Sequence, residues 1–203
     1  FQAFYCLGSL KRLGEDPDVD PAPYILEHLH VYDVEMLPAE VTSIFRRMWI
    51  LVELCAIRHI VPEPSLRDAV IRFVLHFRHE DGGFGAPYAT LLETAQALNI
   101  LDRLDYPVKA LGSESFVSRC ADPICGFVDV PSTTFSFLEH IHAGVAASTL
   151  LNRPIPYATP CLQFLSACQT RSGGFSRSTH TGIATLEDTF LAVETGHLLS
   201  RFG

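Results

Sequence analysis

Apolar residues recur at the α-helical period along most of the chain. Phe4, Leu7, Leu10 and Leu13 would lie on one face of a first helix, and the same pattern returns in later segments. The long alternation of apolar and polar residues that is typical of strands is nearly absent. The pattern predicts an all-α fold, with five longer helices near residues 1–13, 39–60, 89–104, 134–151 and 184–201 and shorter ones near 23–31, 64–81, 108–120 and 156–168.

One short pattern occurs three times. Residues 164–175 begin with an aromatic and aliphatic pair, contain a glutamine and end in Gly-Gly-Phe. Residues 73–84 and 116–127 keep the same spacing between their first and last phenylalanines, although the glutamine is replaced. The glycines before the last phenylalanines lie roughly 43 and 48 residues apart, which is the range of repeated helical pairs. Each repeat is therefore predicted to consist of a short outer helix, a glycine turn and a longer inner helix.

The glycine turns lead to a more specific structural prediction. Gly83 and Gly174 would adopt positive φ angles, because glycine tolerates that region of backbone space and lets the chain approach closely. The phenylalanine after each turn would then fill the gap between neighbouring helical pairs. Phe84, Phe127 and Phe175 are accordingly predicted to be largely buried.

The composition indicates a single folded unit. With 48% apolar and 19% charged residues, a chain of 203 residues can bury a large core. We predict one domain over residues 1–203, divided into repeats at about 1–20 (partial), 21–62, 63–106, 107–153 and 154–203.

The charge pattern argues against several kinds of partner. The net charge is −8, only two residues are lysine and no basic stripe is present, so nucleic acid is not an expected partner. The most apolar long segment, residues 41–60, contains four charged residues, so no transmembrane helix is expected. The chain begins at Phe1 without a charged and then apolar leader, so a processing boundary and a cytoplasmic location are expected.

The recurring pattern resembles that of a known family. The aromatic and aliphatic pair, Gln169, Gly173 and Phe175 resemble the QW-type repeat of triterpene cyclases, with phenylalanine in place of tryptophan. Residues 92–98 and 186–192 resemble the inner-helix starts of the prenyltransferase and squalene-cyclase repeat superfamily. The resemblance implies an α/α toroid, in which inner helices line a central cavity. Since such rings usually have about six hairpins, five inner and four outer helices imply an open ring, or one that a missing N-terminal segment or a protein partner completes.

The resemblance also implies that successive inner helices begin close together at the cavity mouth. Glu93, the pair His140 and His142, and Asp188 occupy three of these starts. In the protein prenyltransferases an Asp-x-Cys pair and a histidine at corresponding places hold zinc. The resemblance therefore implies a divalent metal, zinc first, on His140, His142 and Asp188, which are suitable donors. The alternative is that His140 caps its helix or faces solvent, His142 packs in the core and Asp188 caps the last helix.

The helix starts also supply candidate catalytic and binding groups. Residues 185–189 resemble the aspartate-rich acid motif of the cyclase branch, which implies that Glu187 and Asp188 are catalytic acids. The alternative is an ordinary acidic helix start, favoured by the helix dipole. Glu93 and Gln96 are candidate substrate-binding residues. The basic residues that bind diphosphate in the prenyltransferases would fall at a threonine and a phenylalanine here, so prenyl transfer to a protein is not expected.

Together these features favour an enzyme of the prenyltransferase or terpenoid-cyclase class that binds an apolar isoprenoid substrate in a central cavity. The resemblance implies transferase, isomerase or lyase chemistry. The alternative is a non-catalytic toroid that acts as a subunit or as a ligand-binding or protein-binding module, because a repeat motif fixes how hairpins stack and does not fix the chemistry inside.

Overall fold

A computed structural model describes residues 2–15, 20–30, 42–180 and 182–202. Its elements are α1 (Gln2–Arg12), α2 (Ala22–His28), α3 (Thr42–Ile57), α4 (Pro64–His76), α5 (Leu91–Arg103), a 3-10 turn (Val108–Leu111), α6 (Glu114–Arg119), β1 (Ala121–Asp122), β2 (Gly126–Phe127), α7 (Leu138–Leu150), α8 (Ala158–Cys168) and α9 (Leu186–Phe202).

The five predicted longer helices are confirmed as α1, α3, α5, α7 and α9. Residues 39–41, at the start of the predicted second one, lie outside the described residues. The third predicted outer helix is interrupted, because Gly112 adopts a left-handed conformation with φ of 70° between the 3-10 turn and α6. Glycine adopts this conformation without the steric cost of a side chain, so the chain turns there.

The longer helices form a ring. α5 packs between α3 and α7, α7 packs against α9, and α1 contacts both α3 and α9. The contacts of α1 include a 3.3 Å hydrogen bond from Lys11 Nζ to the carbonyl oxygen of Ile57. The outer helices α4, α6 and α8 pack against α5, α7 and the pair α7 and α9, respectively. The fold is therefore an α/α toroid, in which α1 lies between α3 and α9.

The inner helices begin at the same end of the ring. The Leu91 N–H at the start of α5 donates to the Asp129 carbonyl oxygen at 2.7 Å, and the Leu138 N–H at the start of α7 donates to the Arg177 carbonyl oxygen at 2.9 Å. Asp129 and Arg177 each lie two residues after the phenylalanine of a glycine turn. Each turn therefore caps the preceding inner helix and leads into the next one, which satisfies backbone donors that a helix start leaves free.

The recurring sequence pattern corresponds to a small backbone bridge. The residue six positions before each phenylalanine pairs with it in antiparallel fashion: Arg78 with Phe84, Ala121 with Phe127, and Gln169 with Phe175. The constant spacing thus reflects the closed turn between the two helices of a repeat. This explains why the spacing persists where the glutamine does not.

The three phenylalanines are not equally buried. Phe84 and Phe127 have no exposed surface, as predicted, whereas Phe175 is only partly buried at the edge of the core. α8 packs against β2 and covers Phe127. No outer helix follows α9 among the described residues, so Phe175 lacks the equivalent cover and is less completely buried than the other two.

The turn glycines also differ from the prediction. Positive φ angles occur at Gly82 (86°) and Gly173 (92°), one residue before the predicted positions. Gly83 is required for a different reason, because a Cβ atom there would lie 2.5 Å from the Cβ of Ala89. At Gly174 the corresponding distance, to the Cβ of Ala184, would be 2.8 Å. Close packing, and not backbone angle, therefore excludes larger residues at the two predicted positions.

Gly144 provides the most direct test of the turn packing. A Cβ atom there would lie 2.2 Å from Cγ of the Phe127 ring, which has no exposed surface. We expect Gly144→Ala to lower the free energy of unfolding by about 2 kcal/mol, because overpacking outweighs the gain in helix propensity. Gly196→Ala is the matched control, since nothing lies within 4 Å of that position in α9. It should stabilise slightly in denaturant unfolding, and equal effects of the two variants would contradict the packing described here.

Candidate functional site

The inner helices enclose a cavity of about 920 Å³. The lining residues of each inner helix include two that lie seven positions apart. This spacing of two turns keeps both on one face of the helix. These pairs are Tyr5 and Arg12, Arg46 and Glu53, Gln96 and Arg103, Glu139 and Ala146, and Glu187 and Glu194. The volume lies within the range of small-molecule sites in proteins.

Part of the cavity wall is aromatic and aliphatic. The centroid of the Phe4 ring lies 5.3 Å from that of Trp49 and 5.6 Å from that of Phe190, both edge to face. Leu92 and Ala95 of α5 extend this surface. Such rings offer a large contact area to an apolar ligand without a polar partner.

Glu187 lies where the inner helices begin and is held by two neighbours. Its Oε1 accepts a hydrogen bond from the Tyr5 hydroxyl at 2.9 Å and one from Arg46 Nη2 at 2.5 Å. Burial, together with the charge of Glu187, raises the pKa of Tyr5 well above its usual value. Burial opposes the charge on Arg46, yet Glu187 and Tyr5 keep the pKa of its guanidinium above the usual value. This carboxylate is thus part of an ion pair that joins α1, α3 and α9.

Asp188 also lines the cavity and has a different environment. Its Oδ2 accepts a hydrogen bond from the Thr185 hydroxyl at 2.6 Å, while its N–H donates to Thr185 Oγ1 at 2.9 Å, which is a reciprocal helix cap. Only 8% of the residue is exposed. Burial raises the pKa of Asp188, and the charges of Glu139 and Glu187 add to this, whereas the Thr185 hydrogen bond and Arg177 oppose it. The carboxyl therefore retains a proton to a higher pH than an ordinary aspartate.

A second polar cluster lies further along the inner helices. Glu194 accepts a hydrogen bond from Arg12 Nη2 at 2.6 Å and lies 3.2 Å from His142 Nε2. Burial would raise the pKa of Glu194, but the hydrogen bond with His142 and the charges of His142 and Arg12 lower it overall. Beside this cluster Arg103 Nε donates to Glu53 Oε1 at 2.7 Å. The cations at this end are therefore paired with carboxylates across the cavity wall.

His140, His142 and Asp188 do not form the predicted ligand set. The His140 ring folds back on its own helix start, where Nδ1 accepts a 3.2 Å hydrogen bond from the Phe137 N–H, and His142 faces Glu194 instead. Across the described part of the chain, no three His, Cys, Asp or Glu side chains are arranged to hold a metal ion. Residues two apart in a helix lie on different faces, so the predicted grouping is wrong and these donors do not fit zinc. Metal uptake itself stays a prediction.

The two predicted substrate-binding residues have different positions. Glu93 is buried and forms a reciprocal cap with Thr90, whose hydroxyl donates to Glu93 Oε2 at 3.1 Å. It does not belong to the lining of the cavity, so the structure places it in the helix cap and not in the candidate site. Gln96 does line the cavity, and so do the candidate acids Glu187 and Asp188.

Comparison with known proteins places this fold in a family. Residues 17–202 match the family model of the prenyltransferase alpha-alpha toroid domain. The chain belongs to this family. The match spans nearly all of the repeats, and the family accounts for the alternation of inner and outer helices.

The prenyltransferase toroid is also similar to a solved structure, "Candida albicans protein geranylgeranyltransferase-I complexed with GGPP". The TM-score is 0.58, the sequence identity is 17%, and the match covers 78% of this chain and 50% of that chain. Similarity at this identity shows the fold, and the present chain spans about half the length of that relative. No curated protein matches the sequence.

The comparisons support a prenyltransferase-like α/α toroid. They give no support to the terpenoid-cyclase, isomerase, lyase or metal-binding assignments. Within the described residues, every helix is too short or too polar to cross a membrane.

Several cavity residues of this prenyltransferase toroid were missed from the sequence. Arg46, Arg12 and Glu194 were not singled out, although each lies seven residues from another lining position. Polar residues spaced by seven within otherwise apolar helices were the signal that could have found them. The pairing of Arg12 on α1 with Glu194 on α9 could not be predicted, because it joins opposite ends of the sequence.

Proposed function

We propose that this toroid binds an isoprenoid-type substrate in its central cavity and acts on it near the starts of the inner helices. The observation that carries the proposal is the central cavity of about 920 Å³, whose wall combines an aromatic surface with a buried acid, Asp188. Ligand sites are commonly apolar clefts with a few placed polar groups.

The aromatic part of the wall suits a branched, unsaturated hydrocarbon chain. Phe4 contacts Trp49 and Phe190 edge to face, and all three line the cavity, so their faces and edges can pack against methyl groups and double bonds. The similar structure from Candida albicans is a complex with GGPP. That likeness supports an isoprenoid as the ligand class to test first.

Asp188 is the proposed proton donor or acceptor. It lines the cavity, it is fixed by Thr185, and burial raises its pKa. A positioned acid or base with a pKa moved toward the working pH is suited to proton transfer. Glu187, by contrast, is engaged with Tyr5 and Arg46, which suits a supporting role for that candidate catalytic residue.

A non-catalytic, ligand-binding toroid is the second candidate. The arginines Arg12, Arg103 and Arg177 of the cavity wall are paired with carboxylates, so no separate cationic clamp for a diphosphate is formed by these three. A cavity that binds an isoprenoid without changing it would need no such clamp. Binding and product formation must therefore be measured separately.

Filling the cavity tests the binding part of the proposal. Ala146 lies in the cavity lining on α7, and we expect Ala146→Trp to weaken binding of GGPP or geranylgeraniol by about tenfold or more, because the indole occupies ligand space. Ala167→Trp is the matched control, because Ala167 is exposed on the outer helix α8. Affinity is measured by titration calorimetry and product by mass spectrometry.

The outcomes separate the two candidates. Saturable binding with product supports the enzyme, and saturable binding without product supports the non-catalytic toroid. Absence of saturable binding to either ligand in folded wild-type protein overturns both. Affinity in Ala146→Trp that equals the affinity in the Ala167→Trp control would show that the ligand lies outside the cavity.

A further inference from the structure

The amide oxygens of Gln96 and Asn99 lie in the cavity wall without a hydrogen-bond partner among the described residues. They are three residues apart on α5, on the same face as Leu92 and Arg103. Gln96 is only 6% exposed. The amide oxygens of both residues are buried and accept no hydrogen bond from any described residue.

Leaving these amides unpaired is costly. A buried polar group without a hydrogen bond destabilises a protein, whereas leucine or alanine at the same helix positions would carry no such cost. Nearly all buried polar groups in proteins are paired, so each exception requires a specific explanation. The position of this pair, facing into the ligand cavity, provides one.

The neighbouring polar groups do not serve as partners. Arg103 is bound to Glu53 at 2.7 Å, and Arg12 is bound to Glu194 at 2.6 Å. Lys11 donates to a backbone carbonyl of α3. These charged groups thus have partners in the protein, whereas the two amide oxygens have none among the described residues.

The chemistry of an amide defines its missing partner. The carbonyl oxygen accepts and the NH₂ group donates. A hydroxyl group can do both, so it fits either orientation of the amide. A phosphate at neutral pH presents mainly hydrogen-bond acceptors. It would also lie beside the negative carboxylates of Glu53 and Glu194, and the arginines that could bind it are already paired with those carboxylates. A hydrocarbon can form neither bond.

We propose that the cavity ligand is an oxygenated isoprenoid, with a hydroxyl group that hydrogen-bonds to Gln96 and Asn99. This inference rests on the proposed function, since it specifies the substrate class of the same cavity. The amides orient the ligand by fixing its hydroxyl group in the half of the cavity that lies away from Asp188. The hydrocarbon chain then lies along the aromatic wall formed by Phe4, Trp49 and Phe190.

The test compares two ligands that differ in one group. Geranylgeraniol and the matched hydrocarbon without the hydroxyl are titrated into the wild-type chain and into Gln96→Leu. In the wild type the alcohol should bind roughly ten- to a hundredfold more tightly, because one or two net hydrogen bonds distinguish the ligands. In Gln96→Leu this ratio should fall below about threefold, with weaker binding of the alcohol and tighter binding of the hydrocarbon.

Two further measurements keep the outcome clear. Gln163→Leu makes the same substitution at an exposed position on α8 and should leave the ratio unchanged. Gln96→Leu without ligand should melt at a higher temperature than the wild type, because it removes an unpaired amide. If Gln96→Leu does not fold, Asn99→Leu takes its place with the same expected fall in ratio.

The inference and the proposed function fail in different ways. If neither ligand binds the wild type, the proposed function is overturned and this inference with it. If both bind with equal affinity, the cavity takes isoprenoids, but the amides do not recognise a hydroxyl and only this inference is overturned. A preference for the alcohol that persists unchanged in Gln96→Leu, or in Asn99→Leu where that variant takes its place, overturns this inference as well.

Discussion

Replacing Phe127 with alanine is expected to lower the free energy of unfolding by about 3–5 kcal/mol, the usual cost of truncating a fully buried aromatic ring. The ring has no exposed surface and lies against the Cα of Gly144, where even a Cβ atom would not fit. β2 carries it beneath α8. A close-packed core relaxes only in part around a truncated side chain, so a cavity should remain. Denaturant unfolding followed by circular dichroism measures the effect.

Phe175→Ala serves as the internal control. It removes the same side chain at the same place in the repeat, but from a ring that is only partly buried. We expect a loss of about half that of Phe127→Ala or less, because less apolar area returns to water. Equal losses at the two positions would show that all three turns are covered alike and that the described difference in burial is wrong.

This contrast shows how far the repeat pattern can be read. The spacing from the first to the last phenylalanine encodes a local backbone bridge, and local structure of this kind can be predicted from sequence. Burial of Phe175 depends on which helix covers it, and that is a property of the assembled ring. The same limit applies to Gly83, whose role comes from the nearby Ala89 and not from its own φ angle.

The candidate site shows the same limit of prediction from sequence. Gln96, Glu187 and Asp188 line the cavity, whereas Glu93, which was proposed on the same ground, is held in a helix cap by Thr90. The orientation of the His140 ring could not be predicted from the sequence, because its hydrogen bond with the Phe137 backbone competes with any role in the cavity. The contact of α1 with α9 could not be predicted either, since it joins residues more than 180 positions apart, such as Tyr5 and Glu187. Helical periodicity identifies faces, and only the assembled structure identifies partners.

Asp188→Asn is expected to reduce product formation from the bound isoprenoid by about 10²- to 10⁴-fold, the usual contribution of a positioned acid or base. Ligand affinity should change little, because asparagine keeps the size of the side chain and can still accept the hydrogen bond from Thr185. Asp102→Asn makes the same change at an exposed position on α5 and should leave turnover unchanged. Unaltered turnover in Asp188→Asn would remove Asp188 from the proposed mechanism.

The same variant carries a pH signature in its stability. Burial raises the pKa of Asp188 in the folded chain above its value in the unfolded chain. The stability that the protonated carboxyl contributes is therefore fully present below the unfolded pKa, about 3.9, and is lost as the pH rises through the folded pKa. Asparagine does not ionise, so Asp188→Asn should match the wild type at about pH 3 and exceed its melting temperature at about pH 7. An acid kept in the cavity at a cost in stability is what proton transfer requires, whereas a purely capping aspartate would make the variant less stable at neutral pH.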